Sequence, residues 1–598
     1  MFPVTRQFDA ALEIVGKLRA AGYEAYFAGG CVRDLLLGRE PKDFDVATSA
    51  EPDVVLGMFE RTFAVGAQFG VVLVATCGGA DAPCGAEEQS ERPEYVVTEV
   101  ATFRSDGAYS DGRHPDGVRY TKSAEEDVRR RDFTINGLLL DAVALFPQGL
   151  KPAAHLAGSI GPAEAVPLLQ DQLQHGPAEA VPLLQDQLQH GPAEAVPLLQ
   201  DQLQHGLAEL AGLDEKQPQI LRLTTPRLKS TPGAPFAQDD KHFSTAQILR
   251  LTTPRLKSTP EAPFAQDDKH FSTAQDDSPL RAAVIDFVGG VGDLEAGVVR
   301  AIGRAEARFE EDRLRMLRAV RFAARFGFAI EEETKRAIRA LAGRIDSVSK
   351  ERVRDELTKM LTEGHARRAF ELLDETGLLA EVLPEVARMK GVEQPPQYHP
   401  EGDVWVHTLG LLGQLEEGCS ATLAWGALLH DVGKPPTFRR APDRIRFDGH
   451  VEVGVAMGAE ICRGFRFSNE ETRQILALIE NHMRFAMADR MRASTLKRFF
   501  RMEGFEEHLA LHKMDCVAGS GNLDHWEFVR ERWQAMPEET LRPKPLITGR
   551  ELIAAGYKPG AGFKEMLRAV EDAQLEGAIG SEEEAMRWVR ERFPLVEG

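Results

Sequence analysis

Within residues 26–50, YFAGGCVRDLLLGREPKDFDVATSA, two glycines, an arginine and two aspartates stand at intervals suited to phosphoryl chemistry. Gly29 and Gly30 follow a short strand-like run and precede a helical one, so backbone N–H groups can approach a triphosphate with no side chain in the way. Arg33, one turn on, adds positive charge. Asp43 and Asp45 are separated by one residue on a predicted strand, which points both carboxylates to the same face. Such a pair suits paired magnesium ions, one activating an attacking hydroxyl and the other clamping the triphosphate for in-line displacement.

With strand, Gly-Gly, helix and carboxylate pair in that order, the chain resembles the polymerase-beta-like nucleotidyltransferase superfamily. Within it, the likeness is to the class II tRNA nucleotidyltransferase and bacterial poly(A) polymerase family, over about 1–141 and 284–380. The resemblance implies that Asp43 and Asp45 carry magnesium and that Glu99, in TEVATFR on the adjacent strand, completes the acidic cluster. RRRDFTINGLLLD (129–141) matches the family's second motif, which contacts ribose and triphosphate. The residue chemistry agrees: Arg130 and Arg131 can neutralise phosphates, and Asp132 and Asn136, one helical turn apart, can hydrogen-bond ribose hydroxyls. Helix capping is the simpler role for Asp132. The polar, Gly-rich SDGAYSDGRHPDG (105–117) resembles the family's flexible loop, with Arg113 a candidate phosphate ligand.

EEDRLRMLRAVRFAARF (310–326) places Asp312 and Arg315 at i and i+3, the spacing of one helix face. In the family, residues at these positions read the incoming base. A carboxylate accepts from cytosine N4–H or adenine N6–H while a guanidinium donates to the neighbouring ring nitrogen; uracil and guanine present the opposite pattern. Each mismatched buried group then costs about 1 to 3 kcal/mol. The structural alternative is a surface ion pair worth about 0.2 to 0.5 kcal/mol. The sequence departs from the family at Arg313, often a proline there. Arg318, Arg321 and Arg325 extend a basic strip suited to RNA phosphates, whereas the charges of SKERVRDEL (349–357) read as helix–helix ion pairing.

A second constellation follows: His407 in VWVHTLGLL, His430 and Asp431 in ALLHDVGKP, His450 in DGHVE, His482 in ENHMRF and Asp515 in HKMDCVA. This order resembles the HD phosphohydrolase superfamily, in which His, His-Asp and a distant Asp bind a divalent metal. Imidazoles with carboxylates suit manganese, nickel, cobalt, iron or zinc. His450 and His482 are placed to add a second ion or phosphate contacts. His512 reads as exposed and carries no role, and LKRFFRM (496–502) fits tRNA contact and ordinary helix chemistry equally.

The elements that must position these residues alternate helix and strand through 141: a helix near 7–21 and strands at 24–28, 44–47 and 95–104. IDFVGG (285–290) then reads as a strand pairing with 135–141. Between them a 15-mer, GPAEAVPLLQDQLQH, occurs three times unchanged and a 28-mer twice with one difference, Gly233 against Glu261. Near-identity points to recent duplication rather than a solenoid. Residues 151–280 hold 15 of the 34 prolines, a density that interrupts helices and excludes central strands, so a disordered or loosely helical insert is expected. From about 295 onward the periodicity is helical.

The expected fold is α+β: a polymerase-beta-like α/β head, an all-helical body and a helical HD domain. The expected divisions are 1–141 (head), 142–283 (insert), 284–300 (head completed), 301–390 (nucleotide-selecting and RNA-binding neck and body), 391–540 (HD domain) and 541–598 (helical tail). A net charge of −21 excludes a broadly basic nucleic-acid coat. The chain has no apolar run of transmembrane length, no secretory pattern at its start and six scattered cysteines without a CxxC pair. These features point to a reduced, cytoplasmic enzyme with no membrane partner. The expected activity is addition of C and A to tRNA 3′ ends from CTP and ATP with magnesium, and no DNA partner. A CC-adding, A-adding or poly(A) polymerase relative is the near alternative. The alternative of another class is an HD phosphohydrolase with a non-catalytic, RNA-binding head.

Overall fold

The computed structural model describes residues 5–64, 70–76, 95–106, 117–145 and 279–595. Arg113 and nearly all of the repetitive 142–283 segment lie outside the described residues. The chain divides into two units, Met1–Asp312 and Arg313–Gly598.

The first unit begins with the expected amphipathic helix, Arg6–Ala20, capped where Thr5 accepts from the Phe8 N–H at 3.2 Å. Its apolar stripe is buried, and Phe8 meets the rings of Phe27 and Phe44 edge-on at 5.6 and 5.5 Å. The strands that follow are β1 (Ala25–Ala28), β2 (Val46–Thr48), β3 (Thr62–Phe63), β4 (Val71–Thr76) and β5 (Val96–Thr102). β6 (Arg104–Asp106) and β7 (Val118–Tyr120) pair as a separate ribbon flanking the Gly-rich loop. With β8 (Leu138–Leu140) and β9 (Val284–Asp286), the main strands form a seven-stranded sheet ordered β3-β4-β5-β2-β1-β8-β9. Only β2 and β5 run parallel in it, Val46 opposite Val100.

β8 and β9 pair across the insert as antiparallel neighbours, Leu138 opposite Asp286 and Leu140 opposite Val284. The returning chain then supports the segment before the insert. The Asp286 carboxylate accepts from the backbone N–H groups of Val288, Gly289, Gly290 and Val291 at 2.8–3.0 Å, fixing the start of the helix Gly290–Ala296. A Cβ on Gly290 would collide with the Thr134 carbonyl oxygen, so that helix seats directly on the turn Thr134–Asn136. The Thr134 hydroxyl donates to Asp293 at 2.6 Å, and its N–H donates to the Arg300 carbonyl at 3.0 Å.

Among the described residues the second unit is built from helices, as its periodicity predicted, with short strands at Ala329–Ile330, Arg439–Arg440 and Ile445–Arg446, the last two paired as a ribbon. Arg321, expected in an RNA-facing strip, is instead buried and donates to Glu356 at 2.7 Å. Desolvating a guanidinium costs several kcal/mol unless it is paired, so Arg321 clamps the helix Leu314–Phe326 to Lys350–Thr362. Of the SKERVRDEL charges, Glu356 pairs helix to helix through Arg321, while Glu351 pairs with Arg466 in the turn after the helix His450–Gly464. The basic residues of LKRFFRM are likewise committed: Lys497 to the Leu575 carbonyl, Arg498 to Glu571 and Asp572, and Arg501 to Glu571. Residues 547–589 have their own apolar cluster around Leu552, Tyr557, Val570 and Val589. Among the described residues no helix is long and apolar enough to cross a membrane, and Cys31, Cys419, Cys462 and Cys516 are free thiols.

Leu140 and Val284 are already neighbours, so a short turn can replace 146–278 without moving either strand. Loop length changes closure entropy by only about 0.6 kcal/mol per doubling. The deletion variant is expected to melt within about 4 °C of the parent by calorimetry and to keep nucleotide addition. Loss of the folded first unit would show that the repeats build part of it.

Candidate active site and a histidine-aspartate cluster

Asp43 and Asp45 sit in the segment leading into β2 rather than inside it, with the Asp45 carbonyl accepting from the Ala28 N–H at 3.0 Å. The parallel register of Val46 with Val100 carries back one residue to set Glu99 beside Asp45. Burial raises both carboxyls above the usual carboxylate range. The Asp45 group is raised further by Glu99 and Asp43, and the Glu99 group by Asp43, while Arg131 pulls both back down. All three are hard oxygen donors of the kind a divalent cation such as magnesium takes, and their mutual repulsion is what such a cation offsets.

Around this corner the second motif is tightly bonded. Gly29 has φ 71°, and a Cβ there would come 3.1 Å from Arg131 Nη1, so the glycine makes room for that guanidinium. Asp132 Oδ1 accepts from the Phe133 N–H at 2.8 Å and from Asn136 Nδ2 at 3.1 Å, so it braces Asn136 rather than capping a helix: Phe133 stands at the N-cap of Thr134–Asn136, with no side-chain cap bond. Asn136 Oδ1 in turn accepts from Arg33 Nη1 at 2.6 Å. Arg33 is 4% exposed and also holds Asp34 at 2.8 Å, so here it is a strut under Asn136 rather than a charge open to solvent. Gly30 opens the helix Gly30–Leu36, and a Cβ there would meet Arg33 only in ordinary contact, at 3.6 Å. One residue that the motif reading missed stands behind both phosphate-binding candidates: Asp127, 2% exposed, accepts from Arg130 and from Arg131.

Asp312 and Arg315 do not share a helix face. The helix Ala305–Glu311 ends at Asp312, whose backbone is extended (φ −142°, ψ 107°), and Arg315 lies in the first turn of the next helix, Leu314–Phe326. The break reflects Asp312 acting as a C-cap and Arg313 as the following N-cap, a change of element that charge spacing alone does not reveal.

The second unit brings the histidines and aspartates of the second constellation together. His407 stands on the helix Val404–Leu412, capped by Asp403, and His430 and Asp431 end the apolar helix Ala421–Leu429. His450 opens His450–Gly464 and Asp515 lies on Phe505–Ala518. A Cβ on Gly433 would stand 2.6 Å from the Gly454 N, so this glycine lets the His450 helix pack onto the His430–Asp431 turn. The ring geometry has a common logic. Nδ1 of His430, His450 and His482 meets the carbonyls of Ala427, Phe447 and Ile479 at 2.9, 3.0 and 2.7 Å. Each Nε2 then faces Asp431, at 3.1, 3.9 and 3.7 Å, with no hydrogen-bond partner. His407 Nε2 lies 3.0 Å from Asp515 and 4.0 Å from Asp431.

Burial would lower the His407 pKa, but hydrogen bonds to Asp515 and Glu401 override it, holding the ring at about 9. Burial pushes His482 down to about 4. The Asp431 carboxyl is held well below its usual value; burial opposes this, but His430 and Lys434 outweigh it. Buried Nε2 atoms aimed at one carboxylate fit a metal centre of imidazole and carboxylate ligands. Three neighbours were missed in the sequence: Glu401, 2.6 Å from His407 Nδ1; His399, 2.9 Å from Glu401; and Lys434, 2.7 Å from Asp431. The run HPEG before His407 and the GK after His-Asp were their only signals. His512 is buried rather than exposed, stacked on Phe485 with ring centroids 4.5 Å apart.

Three family models match the chain: the poly A polymerase head domain over 25–149, the RNA- and SrmB-binding site of polymerase A over 327–390, and tRNA nucleotidyltransferase domain 2 over 451–589. The A-adding tRNA nucleotidyltransferase of Deinococcus radiodurans is 34% identical over 52% of this chain and 75% of its own length. The CCA-adding enzyme of Geobacillus thermodenitrificans is 26% identical over 98% of this chain and 97% of its own. In fold, the chain is similar to the CCA-adding enzyme of Bacillus stearothermophilus solved in complex with CTP, with TM-score 0.57, 22% identity and 99% of both chains covered. The acidic corner, the arginine-bearing second motif and a relative matched at this identity over three quarters of its length place the chain in the tRNA nucleotidyltransferase and poly(A) polymerase family of nucleotidyltransferases.

Proposed function

We propose that this chain adds C and A to the 3′ end of tRNA from CTP and ATP, the terminal hydroxyl attacking the α-phosphate with release of pyrophosphate. The observation that carries the reading is the acidic corner of Asp43, Asp45 and Glu99 beside the Gly29 turn. A relative named as CCA-adding, matched over nearly the whole chain, supports the choice of product. Asp43, Asp45 and Glu99 would hold magnesium, which when bound lowers the pKa of the attacking hydroxyl and offsets triphosphate charge. Arg130 and Arg131 take up phosphate charge, Asp132 and Asn136 hold ribose hydroxyls, and Gly29 and Gly30 leave the backbone open to the triphosphate. Asp312 and Arg315 supply the acceptor and donor for base choice, with Arg113 as a further phosphate ligand. The free thiols support a reducing, cytoplasmic setting.

The test offers tRNA lacking three, two or one terminal nucleotides with each NTP separately. Incorporation of CTP on the first two and ATP on the last is expected. ATP on the last alone, CTP without ATP, or ATP on every end would instead mark an A-adding, CC-adding or poly(A) enzyme.

A second activity rests on the convergence of imidazole Nε2 atoms on Asp431. His407, His430, Asp431 and Asp515 would hold the divalent metal of an HD-type phosphohydrolase, and His450 and His482 would serve a second ion or a phosphate. The donor set suits manganese, nickel, cobalt, iron or zinc. Asp431→Asn is expected to weaken manganese or nickel binding at least tenfold by calorimetry and to leave nucleotide addition within about twofold, because the two sites share no ligand. Wild-type protein that binds none of these ions would show the cluster to be structural.

A further inference from the structure

We propose that Asp127 is the positioning residue of the triphosphate site, a single carboxylate that fixes both Arg130 and Arg131. The inference deepens the nucleotidyl-transfer reading and rests on those two arginines taking up phosphate charge. Asp127 lies in the helix Ala124–Arg129, Arg130 is its C-cap and Arg131 follows in the turn beyond, so the chain leaving the helix brings both guanidinium groups back onto its carboxylate. Arg130 donates through Nε and Nη2 to Oδ1 at 2.9 and 2.7 Å. Arg131 donates through Nε and Nη2 to Oδ2 at 3.3 and 3.0 Å. The Arg104 backbone N–H, at the start of β6, adds a contact to Oδ1 at 3.3 Å. Each guanidinium is thus gripped by its Nε edge, one per carboxylate oxygen. Arg131 turns its other edge toward the Gly29 turn, with Nη1 3.5 Å from the Asn136 carbonyl.

Two adjacent arginines repel each other and each has many rotamers. A triphosphate that had to gather them would lose affinity to side-chain ordering and to that repulsion. Asp127 removes both costs before the nucleotide arrives. Burial disfavours its charge, yet Arg131 and Arg130 hold its carboxyl below the usual range, so the anchor is ionised at neutral pH.

The test compares full-length wild type with Asp127→Asn, Arg131→Gln and the double variant, using tRNA and whichever of CTP or ATP the wild type incorporates. Asp127→Asn is expected to raise the nucleotide KM and the inhibition constant for inorganic pyrophosphate about 10- to 100-fold. The KM for tRNA and the kcat should change by no more than about threefold. The double variant should lose less than the product of the two single losses, since Asp127 acts partly through Arg131 and partly through Arg130. Asp127→Glu, which keeps the charge one methylene further out, should recover part of the loss; it also serves in the cycle with Arg131→Gln if the asparagine variant does not fold. A nucleotide KM within twofold of wild type in the asparagine variant, or losses that simply add in the cycle, would overturn the proposal. An unchanged KM in Arg131→Gln would instead contradict the phosphate role of the arginine itself.

Discussion

Like-charge crowding at one corner of the sheet governs the first unit. Asp43, Asp45 and Glu99 lie within electrostatic reach of one another in partly desolvated surroundings, where each raises the cost of ionising its neighbours. Nothing local to a DFD sequence would hold such a group together. The parallel pairing of β2 with β5 does so by fixing Glu99 beside Asp45, and backbone bonds from β1 lock the segment that carries the aspartates. That crowding costs stability, and in the proposed function a bound cation would offset it.

The cluster in the second unit solves a different problem. Its aspartate is stabilised as an anion by surrounding imidazoles and by Lys434, and the rings are oriented by backbone carbonyls behind them. One site therefore concentrates negative charge with a tethered arginine nearby; the other surrounds an anion with nitrogen donors. In the proposed function the first donor set would take a hard, oxygen-seeking cation and the second a borderline transition metal.

The parts of this architecture legible in the sequence were those set by short-range pattern. The Gly-Gly turn, the acidic pair and the RRRDFTING motif follow from residues within a few positions of each other, and the pairing of β8 with β9 was legible because the repeat between them interrupts two strand-like runs. The missed parts depend on three-dimensional neighbours. Asp127 sits among Glu125 and Glu126 in a helix's first turn, where acids are common for dipole reasons alone. Arg321 looked like its exposed neighbours until Glu356, 35 positions away, claimed it. The i,i+3 spacing of Asp312 and Arg315 implied one helix, but the chain changes element between them.

The balance between charge crowding and function is measured most directly on Asp45→Asn in the full-length chain. Removing one charge should raise the melting temperature of the first unit in EDTA by about 2 °C or more, abolish the stabilisation that magnesium gives the wild type, and lower nucleotide incorporation by about a thousandfold or more while tRNA binding persists. A variant that melts no higher than wild type without metal, or that still incorporates nucleotide within tenfold of it, would contradict the account.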